Sequence, residues 1–177
     1  MIINICLLMA TLSFSNCDKK QYESYSPSGD KKIPVSEIKE HLTIHSTIAD
    51  VLTHPAFDGF SRYILPLEWG YDADMQLSNV SQLLPYHNYI DAERCVGYIN
   101  QMIDSVATGR RIYYDLGRED AGLFFFRGRP GAPFAVICPG GGFSYVGSIH
   151  EGFPHALVLS QMGYNVFVFN IRLAVRK

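Results

Sequence analysis

The sequence has no concentration of positive charge. Its 15 lysine and arginine residues are offset by 17 aspartate and glutamate residues, so the formal net charge is -2 at pH 7. Phosphate binding needs clustered Lys and Arg side chains, and nucleic acid is therefore not expected as a partner. The chain does have 47% hydrophobic residues over 177 positions, which is enough for one ordinary domain with a packed core.

Cysteine is scarce as well. The sequence contains 4 cysteines and no Cys-x-x-Cys spacing, so it gives no support for a zinc or redox site. Cys95 and Cys138 lie in different predicted elements, and nothing indicates that they pair. Cys95 flanks an apolar helical stripe and is predicted to be a small buried hydrophobic residue. No metal and no cofactor is expected.

No hydrophobic run has the length of about 20 residues that a membrane span needs. The N-terminal run Ile2–Phe14 has the length of a signal-peptide core. It leads into Cys17 and polar residues, an arrangement that resembles a bacterial lipoprotein cleavage site. The resemblance implies a signal peptide over residues 1–17, export, and attachment to a membrane by a lipid anchor on Cys17. A plain secretory signal, which would give a periplasmic or secreted protein, and a misjudged start are the alternatives.

The chain after the leader divides by composition and periodicity. Polar residues 18–35 predict a flexible tether, and residues 36–109 predict a helical N-terminal segment. A helix with Ser36 as its cap is expected over Ser36–Leu52, and a short helix over Leu77–Leu84. The clearest helix is expected within Asp91–Gly109, between an aspartate N-cap and a glycine in the left-handed C-cap position.

Residues 110–177 change to strand periodicity and predict a partial α/β domain of about four strands. The strands are expected at Arg111–Leu116, Gly122–Arg127, Pro133–Cys138 and Asn165–Asn170, with a helix at Gly152–Met162. The unbroken apolar run of the third strand predicts burial on both of its faces. A strand, glycine loop, helix and strand in succession predict that the last two strands are parallel, with a right-handed crossover.

Three consecutive glycines, Gly140, Gly141 and Gly142, follow the third strand directly. Glycine loses more backbone freedom on folding than any other residue, so three in a row are costly. The run indicates that the backbone approaches a ligand closely or presents bare N–H groups. Such groups stabilise the oxyanion that forms when a nucleophile attacks an ester carbonyl, and losing one donor costs about 100-fold in rate.

The stretch Pro-Gly-Gly-Gly-Phe after an apolar strand resembles the HGGG-type loop of α/β-hydrolase esterases and lipases. Val166–Ala174 is similar to that family's next strand, and the resemblance covers about 65 residues from Arg111 onward. It implies that Gly141 and Gly142 supply oxyanion-hole amides, that Gly140 permits the turn, and that Phe143 walls the acyl pocket. The implied reaction is acyl transfer to water through a serine ester, without metal or cofactor.

The family nucleophile lies in a Gly-x-Ser-x-Gly sequence after the following strand, and no such pentapeptide occurs here. The chain is therefore expected to be the N-terminal portion of a secreted serine hydrolase, inactive alone, whose complete form acts on a small ester. The alternative is a non-catalytic surface lipoprotein or binding protein with a vestigial hydrolase fold. For the loop itself, a phosphate-binding turn and a purely structural turn are the other readings. Neither the Gly-x-Gly-x-x-Gly nor the Gly-Lys-Ser/Thr fingerprint is present.

Charged side chains flank the loop and the last strand. His150 is a candidate for lining the site, and the helix dipole accounts for Glu151 beside it. Arg172 would follow the carboxyl end of a parallel strand, where α/β sheets place ligands, although a salt bridge steadying the loops is favoured. His41 and His45, four apart on an expected helix, are predicted to be surface or interface histidines because no third metal ligand accompanies them.

Overall fold

The computed structural model describes residues 38–84, 90–118, 121–142 and 144–171. The predicted leader, the tether, the lipidation site Cys17 and the helix cap Ser36 lie outside these ranges, as do Phe143 and Arg172. Within the described ranges, no helix combines the length and the apolar character that crossing a membrane requires.

The described residues form α-helices and one four-stranded mixed sheet, so the chain has the predicted α/β fold. The helices are α1 (Ile48–Thr53), α2 (Ala92–Ala107) and α3 (Phe153–Gln161). The strands are β1 (Tyr113–Arg118), β2 (Ala121–Phe126), β3 (Phe134–Ile137) and β4 (Asn165–Ile171). Short 3-10 turns lie at Pro55–Phe57, Ser61–Tyr63 and Leu77–Leu83, and a π turn at Ser148–Gly152 precedes α3.

The strand order in the sheet is β1-β2-β4-β3. Strand β2 pairs antiparallel with β1 and with β4, whereas β3 and β4 run parallel. The predicted parallel pair is therefore confirmed, and the predicted strands begin and end within two residues of the observed ones. A β-bulge interrupts β1 between Asp115 and Arg118 at one edge of the sheet, and β3 forms the other edge.

Helix α2 has the predicted caps. The Asp91 side chain accepts a hydrogen bond from the backbone N–H three residues later, and Gly109 has a φ of +77° just past the end. The amide of Gly109 donates to the carbonyl of Val106, and the amide of Arg110 donates to that of Ser105. These are the two bonds of a Schellman motif, which satisfy carbonyls that the helix end would leave unpaired.

Cys95 is buried on α2, as predicted. Only 4% of its surface is exposed. Burial, with a smaller contribution from the carboxylate of Asp91, raises the pKa of the Cys95 thiol to about 12. The thiol is therefore protonated at neutral pH and packs as a small apolar side chain.

The expected helix over Ser36–Leu52 is wrong in its extent. Helix α1 begins at Ile48, where Thr47 is the N-cap of a capping box completed by Asp50. Residues 40–47 are not helical, because the side chain of Asn100 on α2 holds Leu42 by accepting from its amide and donating to its carbonyl, both at 2.9 Å. Tertiary hydrogen bonds and a local cap have overridden the helical periodicity.

One face of the sheet, the inner face, carries the core. Phe124, Val166 and Val168 on this face are fully buried. The ring of Phe153 from α3 lies 4.9 Å from that of Phe124, and Phe60 from the N-terminal segment lies 5.9 Å from it. The helical segment and the sheet therefore share one hydrophobic cluster.

The prediction that β3 is buried on both faces is wrong. Phe134 is 40% exposed and Val136 is 47% exposed. The strand lies at the edge of the sheet, and no described helix packs on the side to which these two residues point. An unbroken apolar run was the right signal for a strand but did not reveal which of its faces is covered.

Replacing Asn100 with alanine should lower the free energy of unfolding by about 1–3 kcal/mol, because two backbone groups of Leu42 lose their partner. Urea unfolding followed by circular dichroism measures the change. Gln101→Ala, at the exposed neighbouring position on α2, is the matched control and should stay within about 0.5 kcal/mol of the parent. Equal effects of the two substitutions would show that Asn100 does not hold the segment.

Candidate functional site

The glycine loop connects the end of β3 to the π turn that begins the following helix. The carbonyl of Gly140 accepts from the amide of Gly147 at 2.9 Å, and the carbonyl of Gly147 accepts from the amide of Glu151 at 2.8 Å. The first bond closes residues 140–147 into a compact loop, and the second bond joins this loop to the helix. The loop thus stands on the carboxyl end of a parallel strand, the position that α/β folds use for ligands.

Gly141 and Gly142 are required for different physical reasons. Gly141 has a φ of +148°, and a Cβ there would lie 1.8 Å from the carbonyl oxygen of Tyr145, so the site has no room for a side chain. Gly142 has a φ of +58°, but a Cβ there would meet no atom within 4 Å. Space excludes a side chain at Gly141, whereas only the left-handed backbone favours glycine at Gly142.

The turn that follows Gly141 uses the carbonyl of this residue. The carbonyl of Gly141 accepts from the amides of Ser144 at 2.9 Å and Tyr145 at 3.3 Å. Among the described residues, no acceptor receives a hydrogen bond from the amide of Gly141 or of Gly142. The backbone conformation that the glycines permit thus keeps these two N–H groups out of the hydrogen bonds of the described backbone. Their role as oxyanion-hole donors stays a prediction, with which this geometry is compatible.

Glu151 has a role that its position at a helix start did not predict. Its Oε2 accepts from the amide of Gly140 at 2.7 Å. A Cβ on Gly140 would lie 2.6 Å from the same oxygen, so the absence of a side chain lets the carboxylate approach. Glu151 therefore holds Gly140, the first glycine of the loop. The resemblance to the esterase loop assigns the amides of Gly141 and Gly142 to the oxyanion hole, and Glu151 binds neither of them. An acidic residue in the first turn after a glycine loop is the sequence signal for such a contact.

His150 packs behind the loop. Its side chain is 13% exposed, and its Nε2 lies 3.8 Å from Oε1 of Glu151. Its ring lies over that of Tyr145 at an interplanar angle of 30°, with 6.1 Å between centroids. A Cβ on Gly147 would lie 2.9 Å from the imidazole, so this glycine accommodates the ring. His150 is thus next to the loop, and its assignment as a site-lining residue stays a prediction.

A buried polar pair, which sequence analysis did not predict, supports the π turn. Asn170 on β4 is 3% exposed and Ser148 is 1% exposed. The Nδ2 of Asn170 donates to Oγ of Ser148 at 3.0 Å and to the carbonyl of Tyr63 at 3.1 Å. Buried polar groups need such partners, and these bonds link β4, the π turn and the N-terminal segment. An asparagine at an inner-face position of an apolar strand is the only clue in the sequence.

The π turn packs tightly against the sheet. A Cβ on Gly152 would lie 2.7 Å from Cγ1 of Val168 and 2.9 Å from Cγ of Pro139. Single π turns inside helices are often found at functional sites. Here the turn lets α3 begin close to β4 and directly beneath the start of the glycine loop.

Other candidate groups lie elsewhere in the structure. Within the described part of the chain, no three His, Cys, Asp or Glu side chains are grouped so that they could hold a metal ion. His41 is exposed, is not on the expected helix, and has its Nε2 2.9 Å from Oδ1 of Asp104. A cavity of about 230 Å³ lies between α2, β2 and α3, lined by Met102, Arg110 and Phe124 among others. None of the described residues of the glycine loop lines it.

No family model, curated protein or solved structure matches this chain.

Alanine substitutions should distinguish the two loop glycines. Gly142→Ala should cost about 1–2 kcal/mol of unfolding free energy, the price of a left-handed non-glycine residue. Gly141→Ala should cost about 4 kcal/mol or more, because the added Cβ overlaps a carbonyl oxygen. Denaturant titration measures both. Gly97→Ala on α2, where a Cβ meets nothing within 4 Å, should stabilise by about 0.5–1 kcal/mol. Equal costs at Gly141 and Gly142 would contradict the described turn.

Removing the Glu151 carboxylate should release the Gly140 amide. Glu151→Ala should speed hydrogen exchange at that amide by about tenfold or more, because a bond to a charged acceptor contributes about 1.5–3 kcal/mol. Nuclear magnetic resonance of ¹⁵N-labelled protein measures the rate. Glu93→Ala, at an exposed acidic position in the first turn of α2, is the control and should leave the rate unchanged. An unaltered Gly140 rate in the Glu151 variant would mean that the carboxylate does not hold the loop.

Proposed function

We propose that this chain supplies the oxyanion-binding loop of an exported serine hydrolase of the esterase or lipase kind. The single observation that carries the proposal is that the amides of Gly141 and Gly142 donate to no acceptor among the described residues. They are held behind β3 by a turn that only glycine can form at Gly141. The substrate class is a small ester, and the reaction is acyl transfer to water.

The chemistry needs donors that are in place before the reaction. Attack on an ester carbonyl puts negative charge on its oxygen, and two rigid N–H groups at about 2.7–3.1 Å from that oxygen stabilise the transition state. Gly140 cannot serve as a donor, because its amide is bound by Glu151. The position of the loop also supports the proposal. In esterases and lipases of the α/β-hydrolase fold, one oxyanion donor comes from the loop between the third strand and the first helix of the sheet, and this loop follows β3 and precedes α3.

We propose that the nucleophilic serine is supplied by a polypeptide segment that is not part of this sequence. The sequence has no Gly-x-Ser-x-Gly. The hydroxyl of Ser144 lies 3.4 Å from the carbonyl oxygen of Gly142, and Ser148 is buried against Asn170. Neither serine has a histidine base within hydrogen-bonding distance among the described residues. This chain is therefore proposed to be inactive alone and to contribute only the electrostatic part of the machinery.

Export and membrane attachment belong to the same proposal. The apolar run Ile2–Phe14 followed by Cys17 supports a lipoprotein leader. A lipid on Cys17 would hold the hydrolase at a membrane surface, and the polar residues 18–35 would separate it from the bilayer. A plain secretory leader would give the same activity in the periplasm or outside the cell.

The decisive experiment restores the missing groups. The chain is mixed with a polypeptide that carries the Gly-x-Ser-x-Gly strand, the acid and the histidine of an α/β-hydrolase. Hydrolysis of a chromogenic short-chain ester and labelling by a fluorophosphonate are then measured. We expect neither signal from the chain alone and both from the folded pair. Replacing Gly142 by glycolic acid, which exchanges its N–H for oxygen, should lower the acylation rate about 100-fold.

The control is the same exchange at Gly131, an exposed glycine where a Cβ would meet nothing within 4 Å; it should leave the rate unchanged. Labelling of the isolated chain would reveal a nucleophile of its own and contradict the division of the site. A well-folded pair without hydrolysis would favour the alternative, a non-catalytic surface lipoprotein or binding protein whose loop is a vestige. That alternative is supported by the absence of the nucleophile sequence.

A further inference from the structure

The sheet has a second face, the outer face, that is apolar. Register with β4 places six large apolar residues on it: Leu123, Phe125, Phe134, Val136, Phe167 and Phe169. The ring of Phe167 stacks on that of Phe125 at 4.7 Å and meets that of Phe134 at 6.2 Å. The residues therefore form one continuous surface that spans β2, β4 and β3.

No helix of the described chain packs on the outer face. The helices contact the inner face, where Val166 and Val168 are fully buried, whereas Phe134 and Val136 on the outer face are 40% and 47% exposed. Fully parallel sheets occur almost only with both faces covered, and β3 and β4 form the parallel part of this mixed sheet. A contiguous exposed apolar surface of this kind marks an interaction site.

Three arginines lie beside this face among the described residues. The guanidinium of Arg111 lies 4.4 Å from the ring centroid of Tyr114, and that of Arg127 lies 4.9 Å from the ring of Phe125. Arg118 pairs in register with Ala121, which is on the outer face. The neighbouring Asp115 pairs with Gly122 of the inner face. Arginine side chains therefore border the aromatic surface.

We propose that the outer face docks an amphipathic helix of a partner polypeptide, with an apolar stripe over the aromatic residues and acidic side chains toward the arginines. A helix is the element that covers a sheet face in α/β folds. The arginines set the sign of the partner's charge, because opposite potentials meet across specific interfaces. They also disfavour a second copy of this chain packed face to face, which would bring arginine against arginine. The proposal does not depend on the reaction proposed above.

Two synthetic peptides test the partner's chemistry. Both are soluble amphipathic helices of about 18 residues with the same leucine stripe, one flanked by glutamate and one by lysine. Calorimetric titration of the full chain should show that the glutamate peptide binds about tenfold more tightly at low salt, and that added salt narrows the difference.

Substitutions on the outer face locate the binding. Val136→Asp should weaken binding of the glutamate peptide about tenfold or more. Arg127→Glu should weaken binding of the glutamate peptide and strengthen binding of the lysine peptide. A gain of affinity cannot come from a chain that has failed to fold. The matched controls are Val158→Asp on α3, where the valine is 57% exposed, and Arg94→Glu on α2, and both should bind as the parent does.

Other outcomes would overturn the proposal. The proposed docking site would be contradicted by any of three results: no binding, equal affinity for the two peptides, or equal effects of the control variants. Binding to phosphatidylglycerol vesicles without binding to either peptide would assign the face to a lipid surface. A dimer in sedimentation that Val136→Asp dissociates would assign it to a second copy of the chain.

Discussion

The glycine loop depends on the lack of a side chain at Gly141. The carbonyl oxygen of Tyr145 occupies the space that a Cβ would need, and this approach allows the amides of Ser144 and Tyr145 to turn back onto the carbonyl of Gly141. The turn is closed by the amides of Ser144 and Tyr145. The amides of Gly141 and Gly142 are not among its donors. The proposed chemistry therefore follows from a steric constraint on one backbone position.

The loop is joined to the rest of the fold from two sides. Glu151 binds its first amide, and Asn170 holds Ser148, where the π turn begins. Since Asn170 also donates to the carbonyl of Tyr63, the N-terminal segment contributes to the support of the loop. Rigid support of this kind is what oxyanion stabilisation needs, because donors that must reorganise during the reaction lose much of their benefit.

Local sequence signals predicted the helices and strands. Features that depend on contacts between distant residues could not be predicted in this way. The caps of α2 and the strands after Arg111 were predictable, because hydrophobic periodicity and capping residues are written in neighbouring positions. The non-helical conformation around Leu42 was not predictable, because Asn100, which holds this segment, is 58 positions away in the sequence. In the same way, three glycines predicted bare amides, but the carboxylate of Glu151 that removes one of them from use became visible only in the structure.

The two edges of the sheet differ in what they permit. The bulge between Asp115 and Arg118 disrupts the ladder of β1, and bulged, twisted edges resist pairing with further strands. Strand β3 at the opposite edge pairs in regular register with β4 along its whole length and contains no proline or bulge. We therefore expect growth of this sheet to be directional: among the described strands, β3 offers the regular edge for a further strand, and such a strand would extend the sheet on the side from which the glycine loop emerges.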